Sequence, residues 1–172
     1  MRVLGRAFFV QKAPVVARAL LGAYLVRRHR GSVRRYKIVE TEAYDGFQDR
    51  ASHASRGRTA RTEVMFGRAG RWYVYFVYGM HEMLNIVCGP YGYPSAVLIR
   101  ALEGVEGPAR VTKQLGITRV LNKKAASKSS DLWIERGVRV PDSRILRIAR
   151  VGVSYAGEKW ANKKWRFVLR KK

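Results

Sequence analysis

The chain has 172 residues, with 35 Lys and Arg against 12 Asp and Glu, a formal net charge of +23 and a pI near 11.1. Its 47% apolar and 11% aromatic content is enough for one packed domain over residues 1–172, which argues against a disordered basic tail as the source of the charge. No apolar run reaches the roughly 18 residues of a membrane-spanning helix. The N-terminal apolar pieces are broken by Arg6, Lys12 and Arg18, unlike a secretory leader, and a lone Cys88 closes no internal disulfide, so a soluble intracellular protein is expected.

Pro14 at a helix start, apolar Val15, Val16, Ala19 and Leu20, and Gly22 as a stop predict a short helix over 14–21. Residues 23–28 and 33–44 read as two strands of a hairpin, turned at His29-Arg30-Gly31-Ser32. Strict alternation along the second strand places Tyr36, Ile38, Glu40, Glu42 and Tyr44 on one face, opposite Val39, Thr41 and Ala43. Residues 45–70 lack periodicity and form a long irregular segment, which in a small domain is usually functional or mobile. Two β-rich runs follow, 71–78 and 83–88, separated by Gly79-Met80-His81-Glu82; a turn over 89–94 leads to a strand at 95–102. A second short helix runs from Gly107-Pro108 to Gly116, residues 118–131 read as a solvated Lys/Ser-rich loop, and 165–169 as a closing strand. The expected fold class is α+β, one domain built on a mostly antiparallel curved sheet with short flanking helices.

The charge is unevenly spread. No acidic residue precedes Glu40, and from Arg119 onward there are 16 basic residues against four acidic ones. A polyanion is the natural partner of such a surface, nucleic acid first, because Lys and Arg that neutralise phosphates release condensed counterions. The carboxylates gather in the middle of the chain, where they are costly beside bound phosphates unless they serve chemistry. Glu40 and Glu42 read either as strand residues paired with arginines or, for Glu42 beside Tyr44, as a general base with restricted solvation. In the run Trp72-Tyr73-Val74-Tyr75-Phe76-Val77-Tyr78, Val74 and Phe76 are expected in the core. The tyrosines offer stacking surfaces worth about 1–3 kcal/mol per base, with Tyr75 and Tyr78 on different faces and Tyr78 at the strand end as a wedge. His29, His53, His81 and Cys88 lack metal-site spacing, so no metal is expected. There is no phosphate-binding GxxxxGK[ST] loop and no GxSxG elbow.

The ordered set Ile38-Val39-Glu40-Thr41-Glu42-Ala43-Tyr44, Ala51-Ser52-His53, Met65-Phe66-Gly67, Tyr73 to His81 with Leu84-Asn85, and Val97-Leu98-Ile99-Arg100-Ala101-Leu102-Glu103 resembles the alkyladenine (3-methyladenine, methylpurine) DNA glycosylase family. Residues 17–22, Arg150-Val151-Gly152-Val153 and Ala156-Gly157-Glu158 extend the likeness over nearly the whole chain. The resemblance implies that family's fold and a base-excision repair enzyme, which flips an alkylated or deaminated purine (3-methyladenine, hypoxanthine or ethenoadenine type) from duplex DNA and hydrolyses its N-glycosidic bond. It further implies Glu42 as the base that activates water, with Arg100 holding that water and the nearby phosphate. Tyr44, His53 and Tyr75 would wall the base pocket, with Asn85 on its floor disfavouring guanine, and Tyr78 would fill the gap left in the duplex.

No lysine in these motifs stands as a Schiff-base nucleophile, so a monofunctional enzyme without lyase activity is expected. Further expectations are no cofactor, a monomer with no obligate protein partner and no membrane, and a place in the cytoplasm or nucleoid (a nucleus if eukaryotic). The chain departs from the family pattern where Gly104-Val105-Glu106 runs directly into Gly107-Pro108, a compact version of a longer segment. It departs again at Ala60, where proline is common, and at Glu82-Met83. The alternative from another class is a non-catalytic basic nucleic-acid-binding protein, which would not require Glu42 or Arg100.

Overall fold

A computed structural model describes residues 1–170; Lys171 and Lys172, the end of the C-terminal basic run, lie outside the described residues. In chain order the elements are α1 (Arg6–Phe9), α2 (Ala13–Ala19), β1 (Tyr24–His29), β2 (Ser32–Asp45), β3 (Trp72–Val77), β4 (His81–Val87), β5 (Ser95–Leu102), β6 (Val105–Glu106), α3 (Pro108–Leu115), β7 (Leu132–Glu135), β8 (Ile145–Ile148), α4 (Glu158–Ala161) and β9 (Arg166–Leu169). The strands form one antiparallel sheet in the order β3-β4-β5-β2-β1-β7, with β6 added to β5 and the β8–β9 pair added to β2. The long strand β2 pairs with β1 through residues 32–37, leaves it, and then pairs with β9 through Glu40–Glu42 while β5 holds its other edge.

The turns follow from sequence. Arg30 and Gly31, both with positive φ (48° and 75°), close the β1–β2 hairpin in the conformation that suits the twist of paired strands. Tyr78 and Gly79 (φ 52° and 64°) do the same for β3–β4, with the Met80 amide donating to the Val77 carbonyl at 3.1 Å. Relative to the sequence reading, β3 ends one residue earlier and β4 starts two residues earlier, so His81 and Glu82 join β4 opposite Val77 and Phe76. Gly107 precedes α3 and Gly116, in the left-handed region, ends it, as the Gly-Pro start and Gly stop predicted.

The main core lies between one face of the sheet and the two longer helices. Trp72, Val74, Leu84, Ile86, Val97 and Ile99 pack against Val16 and Ala17 of α2 and Val111 and Leu115 of α3. The opposite face carries a second cluster, in which Tyr73, Val87 and Ala96 meet Ala54, Val64, Met65 and Phe66 from the 45–70 segment. That segment has no strand; its only helical turns are two 3₁₀ pieces, His53–Arg56 and Glu63–Phe66.

Three expectations need correction. Strict alternation along β2 fails because the β2–β5 register shifts between Ile38 and Thr41. This β-bulge inserts an extra residue and exchanges the faces, so Ile38, Thr41 and Ala43 all point into the core. Thr41 pays the polar cost of that position by donating its hydroxyl to the Ala17 carbonyl at 2.9 Å. Phe76 shares the face of Trp72 and Val74 but lies beyond the core edge, 37% exposed, and its ring is covered by the Arg119 guanidinium at 4.8 Å. Residues 118–131 are not simply solvated: Leu121, Ala126 and Ser130 are buried, and the Trp72 amide donates to the Lys124 carbonyl while its carbonyl accepts from the Lys123 amide. Strands β6, β7 and β8 and helices α1 and α4 were not anticipated.

Candidate active site

The face of the sheet opposite the helices opens into a cleft of about 300 Å³ lined by all seven residues singled out in sequence: Glu42, Tyr44, His53, Tyr75, Tyr78, Asn85 and Arg100. They come from five elements and the β3–β4 turn that carries Tyr78. The bulge in β2 turns Glu42 and Tyr44 away from the core; neighbouring β5 supplies Arg100, β3 and β4 supply Tyr75 and Asn85, and the first 3₁₀ turn brings His53.

Glu42 is fully buried at the cleft floor, with each carboxylate oxygen engaged. Its Oε1 accepts the Val151 backbone N–H at 2.8 Å and lies 3.4 Å from Arg100 Nη1; its Oε2 accepts the Tyr44 hydroxyl at 2.9 Å. Burial raises its pKa above the ordinary glutamate value, while Arg100, the Val151 amide and the Tyr44 hydroxyl act in the opposite direction. The result is a desolvated carboxylate whose anion is nonetheless supported by a cation and two donors. Arg100 is itself oriented by Glu40, whose Oε1 accepts its Nε at 2.9 Å and also that of Arg166 at 2.6 Å. Glu40 therefore takes the ion-paired role and Glu42 faces the cleft.

The walls are aromatic. The Tyr73 and Tyr75 rings lie 5.0 Å apart, His53 meets Tyr75 edge-on at 4.7 Å, and His53 Nδ1 is 3.2 Å from the Tyr73 hydroxyl. Burial, reinforced by Arg61 and Arg56, lowers the His53 pKa to about 4, so the imidazole is neutral at physiological pH. Burial likewise raises Tyr75 and Tyr44 and pushes Tyr73 to about 12, keeping the phenols as uncharged donors. Arg61 sits 4.9 Å over the Tyr75 ring. Asn85 is buried, and its amide donates to the Tyr73 carbonyl at 3.2 Å, which fixes the side chain on the floor. Tyr78 stands at the hairpin tip, 88% exposed and with a positive φ, at the rim of the same cleft.

Comparison with known proteins matches residues 7–107 and 104–172 to the methylpurine-DNA glycosylase family. The chain belongs to this family. Among its relatives, a protein of Myxococcus xanthus is 46% identical, covering 99% of this chain and 91% of its own length. One from Anaeromyxobacter dehalogenans is 46% identical over 97% of this chain and 83% of its own. One from Legionella pneumophila is 42% identical over 99% and 96%. All three are provisionally named 3-methyladenine DNA glycosylases. The family match breaks at residues 104–107, where β5 turns through Glu103-Gly104 directly into β6, the compact connection expected from sequence.

In this methylpurine-DNA glycosylase family member the site rests on a support that sequence reasoning missed. Arg150 and Asp49, both fully buried in their side chains, form a bidentate pair at 2.6 and 2.9 Å. Arg150 also donates to the Ala43 and Trp160 carbonyls and lies 4.9 Å from the Tyr44 ring. The pair thus holds both Tyr44 and the chain that presents the Val151 amide to Glu42. Its signal in the sequence was faint: an acidic residue in an irregular segment and an arginine in a motif 101 residues away. Tyr155, whose hydroxyl donates to the Ala51 carbonyl at 2.9 Å, is a second unanticipated wall of the cleft. Among the described residues no group of three or more His, Cys, Asp or Glu could hold a metal ion, and no helix is long and apolar enough to cross a membrane. Cys88 is buried and away from the cleft lining.

Proposed function

We propose that the protein is a base-excision repair glycosylase that takes an alkylated or deaminated purine, of the 3-methyladenine, hypoxanthine or ethenoadenine type, out of duplex DNA and hydrolyses its N-glycosidic bond. The observation that carries this reading is a fully buried carboxylate, Glu42, at the floor of an open aromatic cleft with an exposed tyrosine at its rim. A cleft of about 300 Å³ lies at the small end of ligand pockets, about 300–1,000 Å³, which suits a single extruded base. Tyr78 takes the place of that base in the stack, offsetting an unstacking cost of a few kcal/mol.

In the reaction, water adds its oxygen to C1′ of the sugar and passes a proton to the Glu42 carboxylate. The C1′–N bond breaks and its electron pair leaves with the purine. The sugar carries oxocarbenium character in the transition state, which the Glu42 anion also stabilises. Arg100, 3.4 Å from Glu42, keeps that anion from protonating and positions the water and the adjoining phosphate. Aromatic walls favour electron-poor alkylpurines, and Asn85 on the floor discriminates against guanine by opposing its exocyclic amino group. None of the cleft-lining residues is a lysine or cysteine, which supports hydrolysis alone, without strand-cleaving lyase chemistry. The cleft is assembled within a single chain, consistent with action as a monomer. Incubation with duplexes carrying each of the three lesion types should yield abasic sites for at least one; absence of abasic sites at all three overturns the reading, leaving only a nucleic-acid-binding protein.

A further inference from the structure

Arginines also converge at a place far from the cleft. The β1–β2 register pairs Arg27 with Arg34, His29 with Ser32 and Leu25 with Tyr36, so these side chains share one face of the hairpin. With Arg30 at the turn and the C-terminal end of α3, the Arg27, His29, Ser32, Arg34 and Tyr36 side chains line an open depression of about 430 Å³ that contains no carboxylate. The arginines are not equivalent. Arg27 is built in, donating from Nε to the Leu115 carbonyl at 3.2 Å and from Nη1 to the Asp131 carbonyl at 3.0 Å. Across the sheet, Arg28 and Arg35 are neutralised by Asp131 and Glu135. Arg30 and Arg34 are exposed, and among the described residues neither side chain makes an ion pair, a hydrogen bond or a ring contact. Two unpaired guanidiniums beside a third, with no carboxylate among them, concentrate positive potential that draws a polyanion.

This depression cannot serve the strand engaged at the cleft. Arg34 and Glu42 are eight residues apart on β2, up to about 26 Å at strand rise, and the bulge at residues 38–41 places them on opposite faces. Tyr36 and Ile38, on the face of Arg34, pack into the helix-side core, whereas Glu42 opens to the cleft.

We infer that the β1–β2 hairpin is a second duplex-DNA binding site, gripping backbone phosphates through Arg30 and Arg34 while the cleft face engages another segment. A protein with two such faces bridges duplexes and transfers between them without full release. The inference goes beyond the proposed glycosylase chemistry and is tested without it.

Two undamaged duplexes of about 12 base pairs, roughly one helical turn, are labelled with donor and acceptor dyes and mixed with protein at fixed salt. The wild-type chain should bring them into energy-transfer range and sediment with two duplexes bound. The Arg30→Gln/Arg34→Gln variant, which disturbs no internal contact, should bind one, lose the transfer signal, and keep its single-turnover excision rate within about twofold. The single variant Arg34→Gln, which keeps Arg30, should still bind a second duplex more weakly, with the salt slope of that event lowered by about 0.9. One duplex per wild-type chain, or undiminished bridging by the variant, overturns the inference, as does displacement of the second duplex by polyglutamate at equal charge concentration. A protein inactive on every lesion but still bridging would refute the glycosylase reading and leave this one standing.

Discussion

Replacing Asp49 by alanine tests the support beneath the site. The substitution leaves the Arg150 guanidinium buried without its two carboxylate contacts, at 2.6 and 2.9 Å, and also frees the Asp45 and Ala51 amides that the same carboxylate accepts at 3.1 and 3.2 Å. The two carbonyls and the Tyr44 and Trp165 rings that remain around Arg150 carry only partial negative charge. Breaking one partner of a buried pair costs about 3–5 kcal/mol. For a domain of this size, at about 2–4 °C per kcal/mol, the expected fall in Tm is about 6–20 °C. Denaturant melts followed by tryptophan fluorescence give the free energy directly, since Trp160 and Trp165 adjoin the pair. Asp49→Ala/Arg150→Met, which removes the orphaned charge as well, should recover part of the loss. Activity of Asp49→Ala should fall more than its folded fraction explains, because Tyr44 and the Val151 amide lose their anchor. An Asp49→Ala melt within about 1 kcal/mol of wild type would show that the pair does not hold the site, and the reasoning would fail.

Glu42→Gln should retain DNA binding while the excision rate drops by about 10²–10⁴, the usual contribution of a general base; turnover near wild type would remove Glu42 from that role. The same variant should melt at or above the wild-type temperature. The Glu42 pKa is raised in the folded state, so ionising it between the unfolded and folded pKa values costs stability that glutamine does not lose. The acid limb of the single-turnover rate should lie above the ordinary glutamate range, with activity lost as pH falls through the raised Glu42 pKa; a limb at or below that range refutes the desolvated base. Tyr78→Ala should leave the melting temperature unchanged, because the side chain is 88% exposed, yet weaken base extrusion in a fluorescent-base assay, and unaltered extrusion would count against the wedge.

The charge that dominates the composition divides into three uses once the chain is folded. Arg150 is structural, Arg100 belongs to the cleft, and Arg30 and Arg34 remain open to solvent. Sequence cannot sort them, because guanidinium roles depend on which carboxylates lie near in space. Glu40 and Glu42 illustrate the same point: identical residues two apart, one spent on Arg100 and Arg166, the other buried in the cleft.

Local chemistry was legible where short-range sterics decide it. The β1–β2 hairpin, the Pro108 start and Gly116 stop of α3, and strand β5 at Ser95–Leu102 all follow from residues adjacent in the chain. The seven cleft residues were named in another way, through the resemblance of their motifs to a known family, and the fold brings them to one cleft. What tertiary structure alone decided was the face each side chain takes and who its distant partners are. The bulge at residues 38–41 reverses the alternation that a uniform strand would keep, and it is set by β2 meeting β5 and β9 together. Strand β7, a fully buried Leu-Trp-Ile-Glu segment, is too short to announce itself by periodicity. The Asp49–Arg150 pair joins residues 101 apart, and no pattern in one dimension encodes a contact that exists only because the sheet curls to close it.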